Sequence, residues 1–331
     1  MTKTVKRVLS GMRPTGKLHL GHHLGAIANW LKLQDNPAYE CYFMIADWHA
    51  LSTVFAQTES LKENIREVAL DYLASGLNPE KVTFYVQSHI PAIAQLHILY
   101  SMITPTSWLL RVPTYKGQIQ ELGEEIDSYG FLGYPLLQAC DIMAFRAELV
   151  PVGQDQLPHL ELCREMLRRF HFLYKTEIFP EPQGLLTQAP MVPGTDGRKM
   201  SKSYGNSLYL SEPLEDIKKK LGKMYTDPAK IYKGDPGHPD QCSVHYFLNA
   251  YHPEEAKAMK AECLTGALGC VACKGKLFEI LTQVLTPLQE RRAELAQKPG
   301  LVEDVLEAGA RKANLVAEET LRMAKEAMKI A

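Results

Sequence analysis

Neither sign of charge is in excess in this chain. Thirty-seven Lys and Arg face 38 Asp and Glu among 331 residues, which excludes a protein that coats nucleic acid through bulk positive potential. Any RNA must then be held by a local patch, and no DNA partner is expected. Long apolar runs are also lacking. The longest stretch free of Asp, Glu, Lys and Arg, Val82 to Leu110, is broken by Pro91 and Pro105 and carries Gln87, His89, Gln95 and His97, which a bilayer would leave unsolvated. It reads as a buried strand followed by a helix, with no membrane partner. The opening MTKTVKRVLSGM has no apolar core behind its basic residues, and seven cysteines cannot all pair. Secretion and a disulfide framework are disfavoured, and the expected compartment is the cytoplasm. Low-complexity segments and internal repeats are missing too. The remainder, 46% hydrophobic and 23% charged with 22 Gly and 20 Pro, has the composition of a globular chain long enough for about two domains.

What is present alternates. Val5 to Leu9 reads as a strand, and after the turn at Arg13-Pro14-Thr15-Gly16 a helical pattern begins near His22 with Leu24, Ile27, Ala28 and Leu31 on one side. Cys41 to Ala46 is a second buried strand. Leu61, Ile65, Val68 and Tyr72 follow at helical spacing, with Gly76 placed as a C-terminal cap. Val82 to Val86 and Leu149 to Gly153 supply a third and a fourth strand, the last followed by a helix through Leu160, Cys163, Leu167 and Phe170. Such alternation predicts an α/β fold with a parallel sheet, helices on both faces and ligands at the carboxyl ends of the strands. Past about residue 205 strand signals stop. Leu306, Ala310, Ala313, Ala317, Leu321, Ala324 and Met328 recur every three or four residues, so residues 206–331 are expected to form a helical domain behind a catalytic domain of residues 1–205.

Two motifs carry chemistry. The first, Arg13-Pro14-Thr15-Gly16-Lys17-Leu18-His19-Leu20-Gly21-His22, sits between the first strand and its helix, where free N–H groups and the helix dipole favour an anion. Gly21 has no Cβ to keep a ligand from the backbone, and His19 and His22, three apart, can both reach a phosphate. The same string also fits two surface histidines. The second, Gly197-Arg198-Lys199-Met200-Ser201-Lys202-Ser203, is a cationic loop able to close on a polyphosphate, or else a solvated basic loop.

In this order, His-Leu-Gly-His and Lys-Met-Ser-Lys-Ser resemble the two signatures of class I aminoacyl-tRNA synthetases. Ser10 to Gly16, Ile45-Ala46-Asp47-Trp48-His49-Ala50, Tyr134 to Ile142 and Val150-Pro151-Val152-Gly153-Gln154-Asp155-Gln156 make the chain similar to the tryptophanyl-tRNA synthetases over nearly its whole length. The resemblance implies a Rossmann-like nucleotide-binding domain and an anticodon-binding helical domain. It implies activation of L-tryptophan by ATP with Mg²⁺, then transfer to tRNA(Trp). It also implies a homodimer whose interface draws on an insertion at about 90–130.

Carried over residue by residue, the resemblance assigns Asp141 to the indole N–H, and Tyr134, Gln138 and Gln156 to the ammonium or neighbouring polar atoms, with His49 lining the same pocket. An ionised carboxylate is acceptor-only and suits a single donor; from the residues alone, Asp141 reads more readily as an ion-pair partner within a helix. ATP falls to Arg13, Pro14, Thr15, Gly21, His22, Gly153, Gln154, Asp155, Val192 (through its backbone), Lys199, Met200, Ser201, Lys202 and Ser203. The catalytic set is His19, His22, Lys199 and Lys202.

Cys41, Cys140 and Cys163 lie in apolar stretches and read as buried thiols. Cys242, Cys263, Cys270 and Cys273 are spaced C-x20-C-x6-C-x2-C, a metal-thiolate pattern in a cytosolic protein. Spacing alone favours zinc, with an iron–sulfur cluster as the other candidate. A subset of tryptophanyl-tRNA synthetases carries a [4Fe–4S] cluster with this ordering, and the resemblance implies that cluster here. Charge neutrality also conceals a local excess, nine Lys and Arg against four Asp and Glu from Arg198 to Lys233, suited to phosphates. The competing functions are a tyrosyl-tRNA synthetase, a synthetase-like tryptophan-binding paralogue, and a nucleotidyltransferase acting on another substrate.

Overall fold

A computed structural model describes residues 5–186, 191–232 and 234–330, without the side chains of Glu121, Leu122 and Asp155. Five strands, β1 Lys6–Met12, β2 Tyr39–Ile45, β3 Thr83–Val86, β4 Leu149–Val152 and β5 Gln183–Leu186, form one sheet in the order β3-β2-β1-β4-β5. Every neighbouring pair is parallel. This is the Rossmann-type order, and its switch point lies between β1 and β4, where a crevice opens beyond the carboxyl ends of the strands. The sheet therefore places Arg13, after β1, opposite Gly153, after β4.

The helices are α1 Leu20–His22 and α2 Ala28–Gln34, joined by a π-helical turn at His23–Ile27, then α3 Asp47–Val54, α4 Leu61–Ala74, α5 Pro91–Ser101, α6 Thr106–Leu110, α7 Pro113–Leu122, α8 Tyr129–Leu132, α9 Tyr134–Ala144 and α10 Leu157–Tyr174. Beyond β5 come α11 Leu214–Gly222, α12 Ser243–Tyr251, α13 Pro253–Leu264, α14 Cys270–Ala296 and α15 Leu301–Ala327. Among the described residues, no helix is long and apolar enough to cross a membrane.

Two apolar clusters cover the two faces of the sheet. On one, Trp30 of α2 stacks on Phe43 of β2 with centroids 4.4 Å apart, and Tyr72 of α4 meets Trp30 edge-on at 5.3 Å, an arrangement the ring quadrupoles favour. The same cluster takes in Leu277, Ile280, Leu281, Leu285 and Leu288 of α14, which recur at helical spacing. The other face buries α5, α9 and α10 together with Ala310, Ala313, Ala317, Leu321 and Ala324 of α15. The carboxyl-terminal helix thus returns to the sheet. At Gly309 it lies so close to the backbone of Phe84 in β3 that a Cβ would overlap the Phe84 carbonyl, which only glycine permits.

The segment from Val82 resolves into β3 and α5, as its prolines require, and Gly76 has φ +102° just past α4, the left-handed conformation of a glycine cap. β5 has no counterpart in the sequence reading.

Candidate active site

The loop from Arg13 to His19 leaves β1 and is held by a short antiparallel pairing in which Leu20 N–H donates to the Leu208 carbonyl and Leu210 N–H to the Leu18 carbonyl, each at 2.9 Å. His19 is thereby fixed. Its own N–H donates to Nδ1 of His22 at 3.1 Å, and the two rings lie 3.7 Å apart. This leaves Nε2 of His22 to face a ligand, while Nδ1 of His19 is buried without a partner among the described residues. A buried polar atom of that kind is a place where a ligand is expected to supply the missing bond. Burial lowers the His19 pKa to about 4, with the Lys202 charge adding to the effect. Burial, His19 and Lys202 hold His22 well below its ordinary range as well. Both imidazoles are neutral at pH 7 and act as hydrogen-bonding groups, not as cations.

Gly21 serves a different purpose from the one its position suggests. A Cβ there would come within 2.8 Å of the His19 ring, so glycine seats the imidazole before it admits any ligand.

Facing this loop, residues 192–203 form a tight turn. Met200 N–H donates to the Val192 carbonyl at 2.8 Å and Gly194 N–H to the Arg198 carbonyl at 2.6 Å, so one lone pair of the Val192 carbonyl is already engaged. Asn206, buried beneath, receives Ser201 N–H at 2.8 Å and donates to the Lys199 carbonyl and to Asp196. Lys202 Nζ crosses the cleft to the Gly16 carbonyl at 2.8 Å, and burial lowers its pKa to about 8. Lys199 remains exposed. Arg13 donates to Thr53 Oγ1 at 3.0 Å. Arg13, Thr15, Gly21, His22, Gly153, Val192 and Lys199 to Ser203 all line this open cleft. Pro14 is buried in the loop, and Gln154 begins a 3₁₀ turn after Gly153. The Asp155 side chain lies outside the described residues.

A second, more enclosed cavity of about 370 Å³ continues inward between the ends of β1 and β4 and helix α9. Its size suits a small ligand. His49, Tyr134, Gln138, Asp141 and Gln156 all line it, as do Thr114, Phe131 and His159. Asp141 is fully buried. His49 Nε2 lies 2.8 Å from its Oδ2, and Gln87 Nε2 lies 2.8 and 3.0 Å from the two oxygens. A carboxylate has about four lone-pair positions, so these two side chains leave room for a further donor from the cavity. Burial raises the Asp141 pKa, and the His49 and Gln87 hydrogen bonds oppose that rise. Toward the cavity mouth, Thr114 Oγ1 lies 2.6 Å from both Tyr134 OH and His159 Nε2, and His159 Nδ1 is 2.8 Å from Gln138 Oε1. Gln87, Thr114, His159 and Asn206 were not assigned to the site from sequence. The signal available for Gln87 was a polar residue inside an apolar run, which implies a buried partner.

Outside both cavities, Cys242, Cys263, Cys270 and Cys273 line one pocket with Asp227, Lys230 and His238. Cys242 is the residue before α12, where burial raises its pKa and the His245 and Val244 N–H groups oppose that rise, and Cys270 and Cys273 occupy the first turn of α14. A Cβ on Gly237 would lie 2.5 Å from the Cys263 sulfur. Burial and the other three thiols push Cys273 up to about 12. Among the described residues, no three His, Cys, Asp or Glu side chains stand close enough to share one metal ion.

The family model for class I tRNA synthetases of the W and Y type matches residues 1–286. The chain is 45% identical to the tryptophan–tRNA ligase of Thermotoga maritima, covering 98% of this chain and 99% of that one. It is 42% identical to the Aquifex aeolicus tryptophan–tRNA ligase, covering 98% and 100%. The solved Campylobacter jejuni tryptophanyl-tRNA synthetase, complexed with ADP and tryptophan, superposes with a TM-score of 0.86 at 30% identity, covering 98% of this chain and 99% of that one. With the sheet order, the paired loops and these likenesses in agreement, the chain belongs to the class I tRNA synthetases of the tryptophan and tyrosine family.

Proposed function

We infer that the chain is a tryptophan–tRNA ligase: it activates L-tryptophan with ATP to tryptophanyl-adenylate and pyrophosphate, then transfers tryptophan to tRNA(Trp). The observation that carries this reading is the cavity ending on the Asp141 carboxylate, which shares Arg13, Gly25 and Gly153 with the cleft between the two signature loops. An indole N–H would complete the coordination of Asp141. Tyr134, Gln138 and Gln156, which line the same cavity, would meet the ammonium.

The tryptophan carboxylate attacks the α-phosphorus of ATP. A carboxylate–phosphorus bond forms, the bond to the pyrophosphate oxygen breaks, and pyrophosphate departs carrying its charge with the Mg²⁺ of the ATP complex. The nucleophile is already ionised, so no protein base is required. Catalysis rests on positioning and charge stabilisation. His19 and His22 would donate neutral hydrogen bonds to phosphate oxygens, while Lys199 and Lys202 would face the pyrophosphate with positive charge. The test is ATP–pyrophosphate exchange with tryptophan and tyrosine in parallel, followed by charging of tRNA(Trp). Exchange with tyrosine alone would make it a tyrosyl enzyme, and tryptophan binding without exchange would make it a paralogue.

We further propose that the four-cysteine pocket binds a [4Fe–4S] cluster, with zinc as the alternative. Four thiols lining one pocket form a donor set that suits either group, and the cysteine ordering, which resembles that of the cluster-bearing synthetases, favours the cluster. Peptide N–H groups at Cys242 and the first turn of α14 suit anionic sulfur. Cys242, Cys263, Cys270 and Cys273 would be its ligands, and iron and sulfide content after anaerobic purification decides against stoichiometric zinc.

The exposed apolar side chains of Phe55, Ile98, Met102 and Leu110, three of them within 90–130, support a homodimer, which sedimentation measures. Residues 206–331 would carry the anticodon-binding helices, with α15 returning to the catalytic domain of residues 1–205. A cytoplasmic location follows from the tRNA substrate.

A further inference from the structure

Helix α14 holds the catalytic loop through a buried carboxylate. Asp71, on α4, is wholly inaccessible to solvent, and its two oxygens take different partners. Oδ1 receives Arg292 Nε at 2.8 Å, and Oδ2 receives the N–H of Leu18 at 3.3 Å. Leu18 immediately precedes His19. Its carbonyl is taken by Leu210 N–H, and Gln289, three residues before Arg292, donates to the carbonyls of Leu210 and Glu212 at 3.0 and 2.8 Å. Both backbone groups of Leu18 are thus tied, directly or through one intermediary, to the same turn of α14. The arrangement has a second reach. Cys270 and Cys273 open α14, and at 1.5 Å per residue Arg292 stands about 33 Å further along, so one helix spans the cysteine pocket and the brace on the active-site loop.

We propose that Asp71, held by Arg292, is a positioning residue for tryptophan activation, fixing the main chain at Leu18 so that His19 meets the phosphate in register. The proposal rests on the reading of this site as a tryptophan-activating one. Neither residue lines the tryptophan cavity or the cleft. Two features set the pair apart from a purely structural ion pair. One carboxylate oxygen is spent on the catalytic loop itself, and the Asp71 charge also acts on Lys202 across the cleft. Arg292 further binds Glu67, one turn before Asp71, at 2.6 Å. Glu67 makes no bond to the loop, which provides an internal control.

The experiment measures tryptophan-dependent ATP–pyrophosphate exchange in Asp71→Asn, Arg292→Gln, Arg292→Lys and Glu67→Gln, with the folded fraction of each verified by circular dichroism at the assay temperature. A displacement of the loop by an ångström is worth on the order of 100-fold. Asp71→Asn is expected to lower kcat by 10- to 100-fold and Arg292→Gln by at least threefold, with KM for tryptophan unchanged. Arg292→Lys should recover part of the loss. Glu67→Gln should lower thermal stability with kcat intact. If Asp71→Asn does not fold, Arg292→Gln carries the test. A folded Arg292→Gln whose kcat is that of the parent, or equal kcat losses in Glu67→Gln and Arg292→Gln, overturns the proposal. Absence of tryptophan-dependent exchange in the parent protein instead overturns the functional reading.

Discussion

Lys202 Nζ donates to the Gly16 carbonyl at 2.8 Å, so the loop that follows β5 is latched to the loop that follows β1 before any nucleotide arrives. Gly16 reaches this position with φ +119°, a conformation in which an L side chain is strained. The same lysine is partly shielded from water, and burial lowers its pKa to about 8. A lysine with a lowered pKa is charged below that value and neutral above it. The parameter kcat/KM for ATP reports ionisations of the free enzyme. It is therefore expected to fall as pH rises through about 8, and Lys202→Arg should move that limb beyond the accessible range, since guanidinium stays charged. Lys202→Ala should slow exchange by roughly 100-fold or more with KM for tryptophan little changed. An alkaline limb that survives Lys202→Arg unmoved assigns it to another group.

At the inner end of the site, the buried Asp141 is supported by His49 and Gln87. A phenylalanine in the cavity would leave the remaining acceptor position of a buried carboxylate unfilled. Sites built to bond a substrate N–H or O–H reject analogues lacking it by roughly 10⁴ to 10⁵. Asp141→Ala should therefore reduce kcat/KM for tryptophan by at least 100-fold and compress the preference over phenylalanine. Gln87→Leu, which never touches substrate, should weaken the same preference less. Competitive exchange assays with the two amino acids measure both effects, and unchanged discrimination in Asp141→Ala removes Asp141 from recognition.

Much of this was legible in the sequence, and the exceptions have physical causes. Strands β2 to β4 hold short apolar runs and β1 carries Val8 and Leu9 just ahead of a turn, so their signal is local. β5, Gln183–Leu186, is a four-residue edge strand containing glycine and no buried residue, and it has neither alternation nor a continuous apolar run to reveal it. The helical period of α15 was plain, but its return to β3 depends on a single glycine meeting a carbonyl, which periodicity does not encode. Within the site, most of the residues assigned to ligands fall in the quoted motifs, whereas Gln87 and Thr114 meet partners distant in sequence, and Asn206 lies just beyond the second motif, whose turn it holds from beneath. Gly21 sits in a motif, yet its role as the seat of the His19 ring required coordinates.

The cysteine pocket makes its own prediction. With burial and mutual repulsion raising the pKa of Cys242, Cys263 and Cys273, the thiols favour protonation at neutral pH, and only a bound cation stabilises four adjacent thiolates. Cys273→Ser should abolish iron retention and the broad visible absorption of a cluster, and should loosen the first turn of α14. Tryptophan-dependent exchange should persist at a reduced level, while tRNA charging falls further. Iron and sulfide assays beside the two activities separate these effects. Full metal content in Cys273→Ser would falsify the ligand set.

Gly309 offers the sharpest test of how the carboxyl-terminal helix is joined to the sheet. Helix α15 is rich in alanine on its buried side, with Ala310, Ala313, Ala317 and Ala324 all packed into the core, so its axis can approach β3 closely. At Gly309 the approach ends with the Phe84 backbone itself, where an added methyl group has no flexible side chain to displace. Overpacking of a core commonly costs about 1–3 kcal/mol, and more where the obstacle cannot yield. The alanine preference for helix offsets at most about 1 kcal/mol of this. Gly309→Ala is therefore expected to lower the denaturation midpoint clearly, whereas Leu315→Ala on the exposed face of the same helix should leave it nearly unchanged. β3 leads directly to Gln87, so the loss should extend to the tryptophan cavity, and KM for tryptophan in Gly309→Ala should rise more than KM for ATP. Equal stability of Gly309→Ala and the parent in chemical denaturation would mean that α15 does not press on β3 at this position.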